Sequence, residues 1–184
     1  MPQMGLKDKV AIVTGAGSRA AGIGNGRAAA ILFAREGARV LVVDRSRAAA
    51  EATLKMILGE GGEAAVFDAD VTRSDDCAAM VDDAVRRWGR LDILDNNVGI
   101  GGRGTVVEVS EEDWERVMRV NVTGMMLASK HAIPVLARGG GGAIVNISSI
   151  SALRVASPPT QRPRVPLSRS PARWPSTTPS RGSA

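Results

Sequence analysis

Residues Val10 to Gly26 constrain the fold of this chain more than any other stretch. They read Val-Ala-Ile-Val-Thr-Gly-Ala-Gly-Ser-Arg-Ala-Ala-Gly-Ile-Gly-Asn-Gly. Val10 to Val13 is short, apolar and β-branched, the composition of a strand buried on both faces. Thr14-Gly15 ends it, a glycine-rich turn follows, and Arg27 to Glu36 predicts a helix. Glycines let the backbone approach a diphosphate closely. The helix N-terminus aims unpaired N–H groups and a partial positive charge at the same place. An ordinary strand-to-helix turn has the same local signature, so the motif needs support from its surroundings. The next apolar run, Arg39 to Asp44, supplies it by ending in an acid twenty residues after Gly24. That is the spacing a ribose-binding carboxylate requires.

The pattern then repeats. Ser46 predicts a cap for a helix reaching about Leu58, and Gly59 to Gly62 ends it. Ala64 to Phe67 predicts a third strand, followed by Asp68-Ala69-Asp70-Val71. Ser74 is expected to cap a helix to Trp88, closed by Gly89. Leu91 to Leu94 predicts a fourth strand, running into Asp95-Asn96-Asn97-Val98-Gly99. Ser110-Glu111-Glu112-Asp113 resembles a capping box with Asp in the third position. It is expected to start one long helix reaching about Arg138. Ala143 to Ile147 predicts a fifth strand, leading to Ser148-Ser149.

Strands alternating with helices demand a parallel sheet covered on both faces and connected right-handedly. The expected fold is therefore α/β: a Rossmann-like, doubly wound parallel sheet in three α/β/α layers. Ligands in such sheets bind beyond the carboxyl ends of the strands. Thr14, Asp44, Asp70, Asn96-Asn97 and Ser148-Ser149 all fall at those ends.

Composition narrows the function classes. No apolar run approaches the length of a membrane span, and the N-terminus carries no signal-peptide pattern. Cys77 is the single cysteine, which excludes an intrachain disulfide and points to a cytoplasmic setting. No Cys/His cluster suits a metal. The net charge is +5, yet residues 151–184 hold six arginines and no acid, so the rest of the chain is close to neutral. Seven of the nine prolines lie in the same tail. We divide the chain into a nucleotide-binding domain, 1–153, and a Pro/Arg/Ser-rich tail, 154–184, expected to be disordered. A nucleic-acid arm is a weak reading of that tail, which lacks lysine and offers only Trp174 for stacking.

Residues 8 to about 153 resemble the short-chain dehydrogenase/reductase family. The resemblance rests on Thr14-Gly15 with Gly22-Ile23-Gly24, Asp44, Asp70-Val71, Asn96-Asn97-Val98-Gly99, Asn121 in Val-Asn-Val-Thr-Gly, and Val145-Asn146-Ile147-Ser148-Ser149. The set and its order are specific; any one member is not. The resemblance implies an oxidoreductase that moves a hydride between NAD(P) and an alcohol or ketone, commonly as a homodimer or homotetramer. It implies that Gly15, Ser18, Gly22, Ile23 and Gly24 shape the pyrophosphate turn. Asp44 would bind the adenosine ribose, Asp70-Val71 the adenine, and Asn97, Val98 and Gly99 would line the cofactor trough. A carboxylate at Asp44 repels a 2′-phosphate and favours NAD over NADP, whereas Arg19 and Arg45 would favour the phosphate. We weigh Asp44 more heavily. Ser149 would hydrogen-bond the substrate oxygen, and Asn121 would organise a proton-relay water.

Three departures stand out. The turn from Gly15 to Gly22 is about three residues longer than the family's usual spacing. Asp95 occupies a position where an apolar residue is usual. The family's acid/base is a tyrosine with a lysine four residues on, and this chain contains no tyrosine. His131, on the long helix, is no replacement. The codons of the tail nevertheless permit another reading. In the frame one nucleotide earlier, from Thr160 to Pro179, mutually consistent codons allow Tyr-Ala-Ala-Ser-Lys-Gly-Ala-Val-Ile-Ala-Leu-Thr-Arg-Ser-Leu-Ala-Val-Asp-Tyr-Ala. Trp174-Pro175 forces one of those alanines. The string looks like the family's catalytic helix, although its tyrosine would follow Ser149 about two residues early. The expectation is a truncated or frameshifted member, inactive as it stands. The alternative is a non-catalytic dinucleotide-binding module.

Overall fold

The five apolar runs pair as one parallel sheet in the order β3-β2-β1-β4-β5. The strands are β1 (Val10–Thr14), β2 (Arg39–Asp44), β3 (Glu63–Asp68), β4 (Ile93–Asn96) and β5 (Ala143–Asn146). This computed structural model describes residues 5–18, 22–102 and 105–149. Contacts divide the chain after Ser148, and Ser149 is the one described residue of the second unit, Ser149–Ala184. The tail assigned to 154–184 therefore lies outside the described residues.

The strand order reverses between β1 and β4. The chain winds outward from β1 through β2 to β3, then crosses back and winds the other way from β4 to β5. Right-handed connections on the two sides of that point must put their helices on opposite faces. The packing follows this rule. On one face, α1 (Asn25–Arg35) and α2 (Arg47–Gly59) give Ala30, Ile31, Ala34, Ala50 and Ile57 to a core with Val13, Val40 and Val42. On the other face, α3 (Ser74–Trp88) and α5 (Gly124–Arg138) give Met80, Val81, Leu127 and Leu136 to a core with Ile12, Leu41 and Leu94. Register explains the partition. Ala65, Leu41, Ile12, Leu94 and Ile144 align across the five strands, and the next row is Val66, Val42, Val13, Asp95 and Val145.

The amino ends of the strands are tied by Asp92, whose carboxylate accepts from the Val10 N–H (3.0 Å), Lys9 Nζ (3.2 Å) and Arg90 Nε (2.8 Å). Burial pushes this carboxyl up, but Arg90, the Val10 N–H and Lys9 together hold it below the usual aspartate range.

Two expectations are corrected. Ser74 does not cap α3: it is the first helical residue, behind Arg73, and its Oγ lies 2.9 Å from His131 Nε2 on α5. Asp75 and Asp76 complement the helix dipole in its place. The single helix expected from Ser110 to Arg138 is interrupted. Ser110 does cap α4 (Glu111–Met118), accepting from the Asp113 N–H, but a π turn at Arg119–Thr123 separates α4 from α5. The π turn adds a residue to one coil and re-aims the helix after it. Gly124 then meets the loop after β3 so closely that a Cβ there would lie 2.8 Å from Val71 Cγ2. No helix among the described residues is long and apolar enough to cross a membrane.

Candidate active site

A cleft of about 460 Å³ opens beyond the carboxyl ends of β1, β2 and β4, at the point where strand order reverses. That is where an open α/β sheet binds its ligand. Gly15, Gly17, Asp44, Arg45, Asp70, Val71, Asn97, Val98 and Gly99 line it, and with them Ala69, Thr72, Ile100, Arg116, Arg119 and Val120. Eight of the residues proposed from sequence as cofactor contacts are thus brought together, Arg45 among them. Ser18, Gly22, Ile23 and Gly24 stand outside this lining, at the far end of the turn, where Ile23 is 66% exposed. Arg19 lies outside the described residues.

The glycine turn is a cradle that side chains would fill. Gly15 has φ +65°, and a Cβ on it would lie 3.1 Å from the Val98 nitrogen. Gly26 lets α1 approach β1 so closely that a Cβ would fall 2.3 Å from the Gly15 carbonyl oxygen. Gly17 donates its N–H to Asp44 Oδ2 (3.0 Å), and Ser46 donates its N–H to Oδ1 (2.9 Å). Two backbone donors thus fix the carboxylate at the end of β2, and each oxygen keeps acceptor capacity for a further donor. Such a frame fits a ribose diol beside a diphosphate.

Asp70 forms the adjoining wall. Its Oδ1 accepts from the Thr72 N–H (2.9 Å) and the Thr72 hydroxyl (2.7 Å). Burial raises its carboxyl, but the two Thr72 bonds, with Arg45 and Arg73 nearby, bring it below the ordinary value. Cys77 lies behind this wall and donates Sγ–H to the Val71 carbonyl. Burial first, then Asp76 and Asp70, push its thiol up to about 11, so it packs as an apolar group rather than acting as a nucleophile.

The loop after β4 is held at three points. The Thr14 hydroxyl accepts from the Asn97 N–H (3.1 Å) and donates to the Asp95 carbonyl (3.3 Å). Asp95 Oδ2 accepts from Asn97 Nδ2 at 2.9 Å. Asn121, in the π turn, accepts from the Ile100 N–H (2.8 Å) and donates to the Ile100 carbonyl (2.9 Å). Its side chain therefore clamps the cleft wall. Asn96 turns away from the cleft and donates to Asn146 Oδ1 on β5 (2.9 Å). Ser149 is exposed and begins the second unit.

Asp95 interrupts a row of valines and is 2% exposed, and its Oδ1 has no hydrogen-bond partner among the described residues. Burial raises its carboxyl, and the bond from Asn97 offsets only part of this. Above about pH 4 the unfolded chain ionises this group while the folded chain resists, so its contribution to stability falls as pH rises through the folded value. Asp95→Asn keeps an acceptor for Asn97 and cannot ionise. We expect thermal melts of this variant to exceed the native protein by about 1–3 kcal/mol at pH 8, with the gap closing towards pH 4. An equal gap at both pH values would overturn this account.

Sequence reasoning missed Ile100, Arg116, Arg119 and Val120, which tertiary packing of α4 and the π turn brings to the cleft. It also gave no role to Arg27, which is 6% exposed. The available signal was a basic residue in the first turn of a helix that has no acidic residue there.

The comparisons with known proteins agree with this geometry. The family model described as short chain dehydrogenase matches residues 9–158. An uncharacterised oxidoreductase of Thermotoga maritima is 43% identical over 150 residues, covering 82% of this chain and 57% of that protein. A cyclohexanol dehydrogenase of an Acinetobacter species is 38% identical, covering 80% of this chain and 57% of its own. A crystal structure of a short-chain dehydrogenase/reductase from Burkholderia xenovorans superposes with a TM-score of 0.79 at 46% identity, covering 82% of this chain and 60% of that one. The chain spans less than two thirds of the length of each of these proteins. With its parallel sheet, its cleft at the strand-order reversal and this match over most of its length, the chain belongs to the short-chain dehydrogenase family.

Proposed function

We propose that this chain is the dinucleotide-binding portion of an oxidoreductase acting on a small alcohol or ketone, with NAD preferred to NADP. The observation that carries the reading is the Asp44 carboxylate, fixed by the Gly17 and Ser46 N–H groups beside the Gly15–Gly17 turn. A fixed carboxylate accepts from ribose hydroxyls and repels a 2′-phosphate. Arg45 lines the same cleft and opposes that preference, but Asp44 is the group whose position two backbone donors determine. A bound nicotinamide cofactor would supply the hydride chemistry, giving a hydride to a carbonyl carbon or taking one from a carbinol carbon of the substrate. The chain's own residues supply position: Asp44 at the ribose, Asp70 and Val71 at the adenine, Asn97 to Gly99 along the trough. Asn121 holds that trough through Ile100 and would organise the relay water, and Ser149 would take the substrate oxygen. The name of the Acinetobacter relative makes secondary alcohols the first substrates to test. A cytoplasmic setting and a homodimeric or homotetrameric parent belong to the same reading. The exposed stripe Trp114, Met118, Val122 and Met126 is the apolar surface such assembly would cover.

As the chain stands, without a tyrosine, we expect binding without appreciable turnover. Titration with NADH and NADPH, followed by nucleotide fluorescence, tests this. NADH is expected to bind about ten-fold or more tightly than NADPH, and Asp44→Ala to erase the difference. No binding at millimolar NADH would sink the reading.

A further inference from the structure

Arg27 sits in the first turn of α1, buried to 6% exposure. Its Nη1 donates to the Gly22 carbonyl (2.9 Å), its Nε to Thr53 Oγ1 (2.9 Å) and its Nη2 to the Ala49 carbonyl (3.3 Å). Thr53 lies on α2 and is fully buried. Its hydroxyl accepts from Arg27 and donates to the Ala16 carbonyl at 2.7 Å. Ala16 opens the glycine turn and Gly22 lies near its end. One buried pair therefore ties both ends of that turn to α2.

Two features of this arrangement oppose stability in the free chain. No carboxylate among the described residues pairs with Arg27, so its charge rests on two carbonyls and a hydroxyl. It also stands at the positive end of α1, which has no acidic residue in its first turn and no side-chain cap at Gly24. A buried cation without an anion is costly, and a cation at a helix N-terminus is on the wrong side of the dipole. An anion at the turn reverses both effects.

We propose that Arg27, acting with Thr53, is a positioning residue that sets the long glycine turn for a diphosphate and biases it towards dianionic ligands. This rests on the dinucleotide reading above. It gives the diphosphate end of the ligand a backbone turn whose two ends a buried guanidinium and Thr53 hold, while Asp44, Asp70 and Val71 serve the adenosine end.

The test uses the full chain with NADH, ADP and adenosine as probes. The variants are Arg27→Met, Arg27→Lys and Thr53→Val, with folding checked by circular dichroism. Arg27→Met is expected to weaken NADH and ADP by about ten- to a hundred-fold, the range of a lost charge-assisted bond. Adenosine should change by less than about two-fold. Arg27→Lys keeps the charge without the fork and should fall between native and Arg27→Met. Thr53→Val should weaken NADH about ten-fold with the charge intact. If Arg27→Met does not fold, Arg27→Lys and Thr53→Val carry the comparison. Equal losses for adenosine and ADP would reduce Arg27 to a general structural role, and NADH affinity unchanged in every variant would remove the role altogether. Either result leaves the dinucleotide reading standing, whereas failure of the native chain to bind NADH overturns both.

Discussion

Reading codons 160–179 one nucleotide earlier is expected to return a tyrosine followed four residues later by a lysine, and the corrected protein to turn over alcohols that this chain does not. A chain whose first 150 residues alternate strands and helices changes abruptly to arginine, proline and serine, with no acid from 151 to 184. Proline codons begin CC and many arginine codons CG, so a one-nucleotide shift converts such runs into alanine, serine and threonine codons, and an arginine codon of the AGG type into lysine. Thr160 as ACN after a Pro159 codon ending in T gives TAC, and Arg164 as AGG after a Pro163 codon ending in A gives AAG. Sequencing the gene settles the premise: a shifted frame without TAC and AAG at these places refutes it. If it holds, the corrected protein should oxidise secondary alcohols with NAD at least about 10²–10⁴-fold faster than the present chain, the typical contribution of a general acid/base. NADH appearance at 340 nm provides the assay. Equal rates would mean that the acid/base lies elsewhere.

Correction should also change the surface. Among the described residues β5 pairs with β4 alone, and Val145 on it is 41% exposed. Trp114, Val122 and Met126 are each more than half exposed along α4, the π turn and the start of α5. A strand edge unpaired among the described residues, and an exposed apolar stripe, each favour association between chains.

The fold was legible where residue type and period agree. Arg39–Asp44 was read with its true bounds because Gly37 and Asp44-Arg45 bracket the uninterrupted apolar run Val40-Leu41-Val42-Val43. β4 was read early, as Leu91 to Leu94 rather than Ile93–Asn96, because its last two residues are polar. Asp95 and Asn96 look like loop in one dimension, yet they pair with Val13-Thr14 and Val145-Asn146 in the sheet. The π turn left no mark, since one extra residue in a coil needs no special residue type. It becomes visible only once Gly124 is seen against Val71. Ser74 carried a cap signal and was used instead to reach His131.

The site divides along the same line. Asp44, Asp70 and Asn97 were legible because polar residues at or just after the carboxyl ends of parallel strands converge on one edge of the sheet. Arg116, Arg119 and Val120 were not, because they reach the cleft from a helix whose own pattern looks solvated. Arg27 was hidden for a related reason. An arginine on a helix is usually at the surface, and only tertiary structure shows its fork closed on Gly22, Thr53 and Ala49.

Gly26→Ala should unfold or severely weaken the protein, and two opposed effects decide the sign. Gly26 is the second residue of α1, so alanine there gains about 1 kcal/mol of helix propensity. Its new Cβ would lie 2.3 Å from the Gly15 oxygen and 2.8 Å from the Gly15 carbonyl carbon. Both atoms are backbone at the carboxyl end of β1, so no rotamer relieves the clash. Helix and strand must separate by about an ångström, which opens the core around Val13, Ala16 and Ala30. Overpacking of this kind costs about 1–3 kcal/mol and sometimes more, and here it acts on backbone. We expect a net loss of about 3 kcal/mol in urea unfolding, together with loss of NADH binding. Gly59→Ala is the matched control. That residue ends α2 with open space around its Cβ position, and it should gain about 0.5–1 kcal/mol. If Gly26→Ala melts at or above the native protein, α1 does not approach β1 this closely, and the diphosphate cradle formed by Gly15, Gly17 and the first turn of α1 loses its basis.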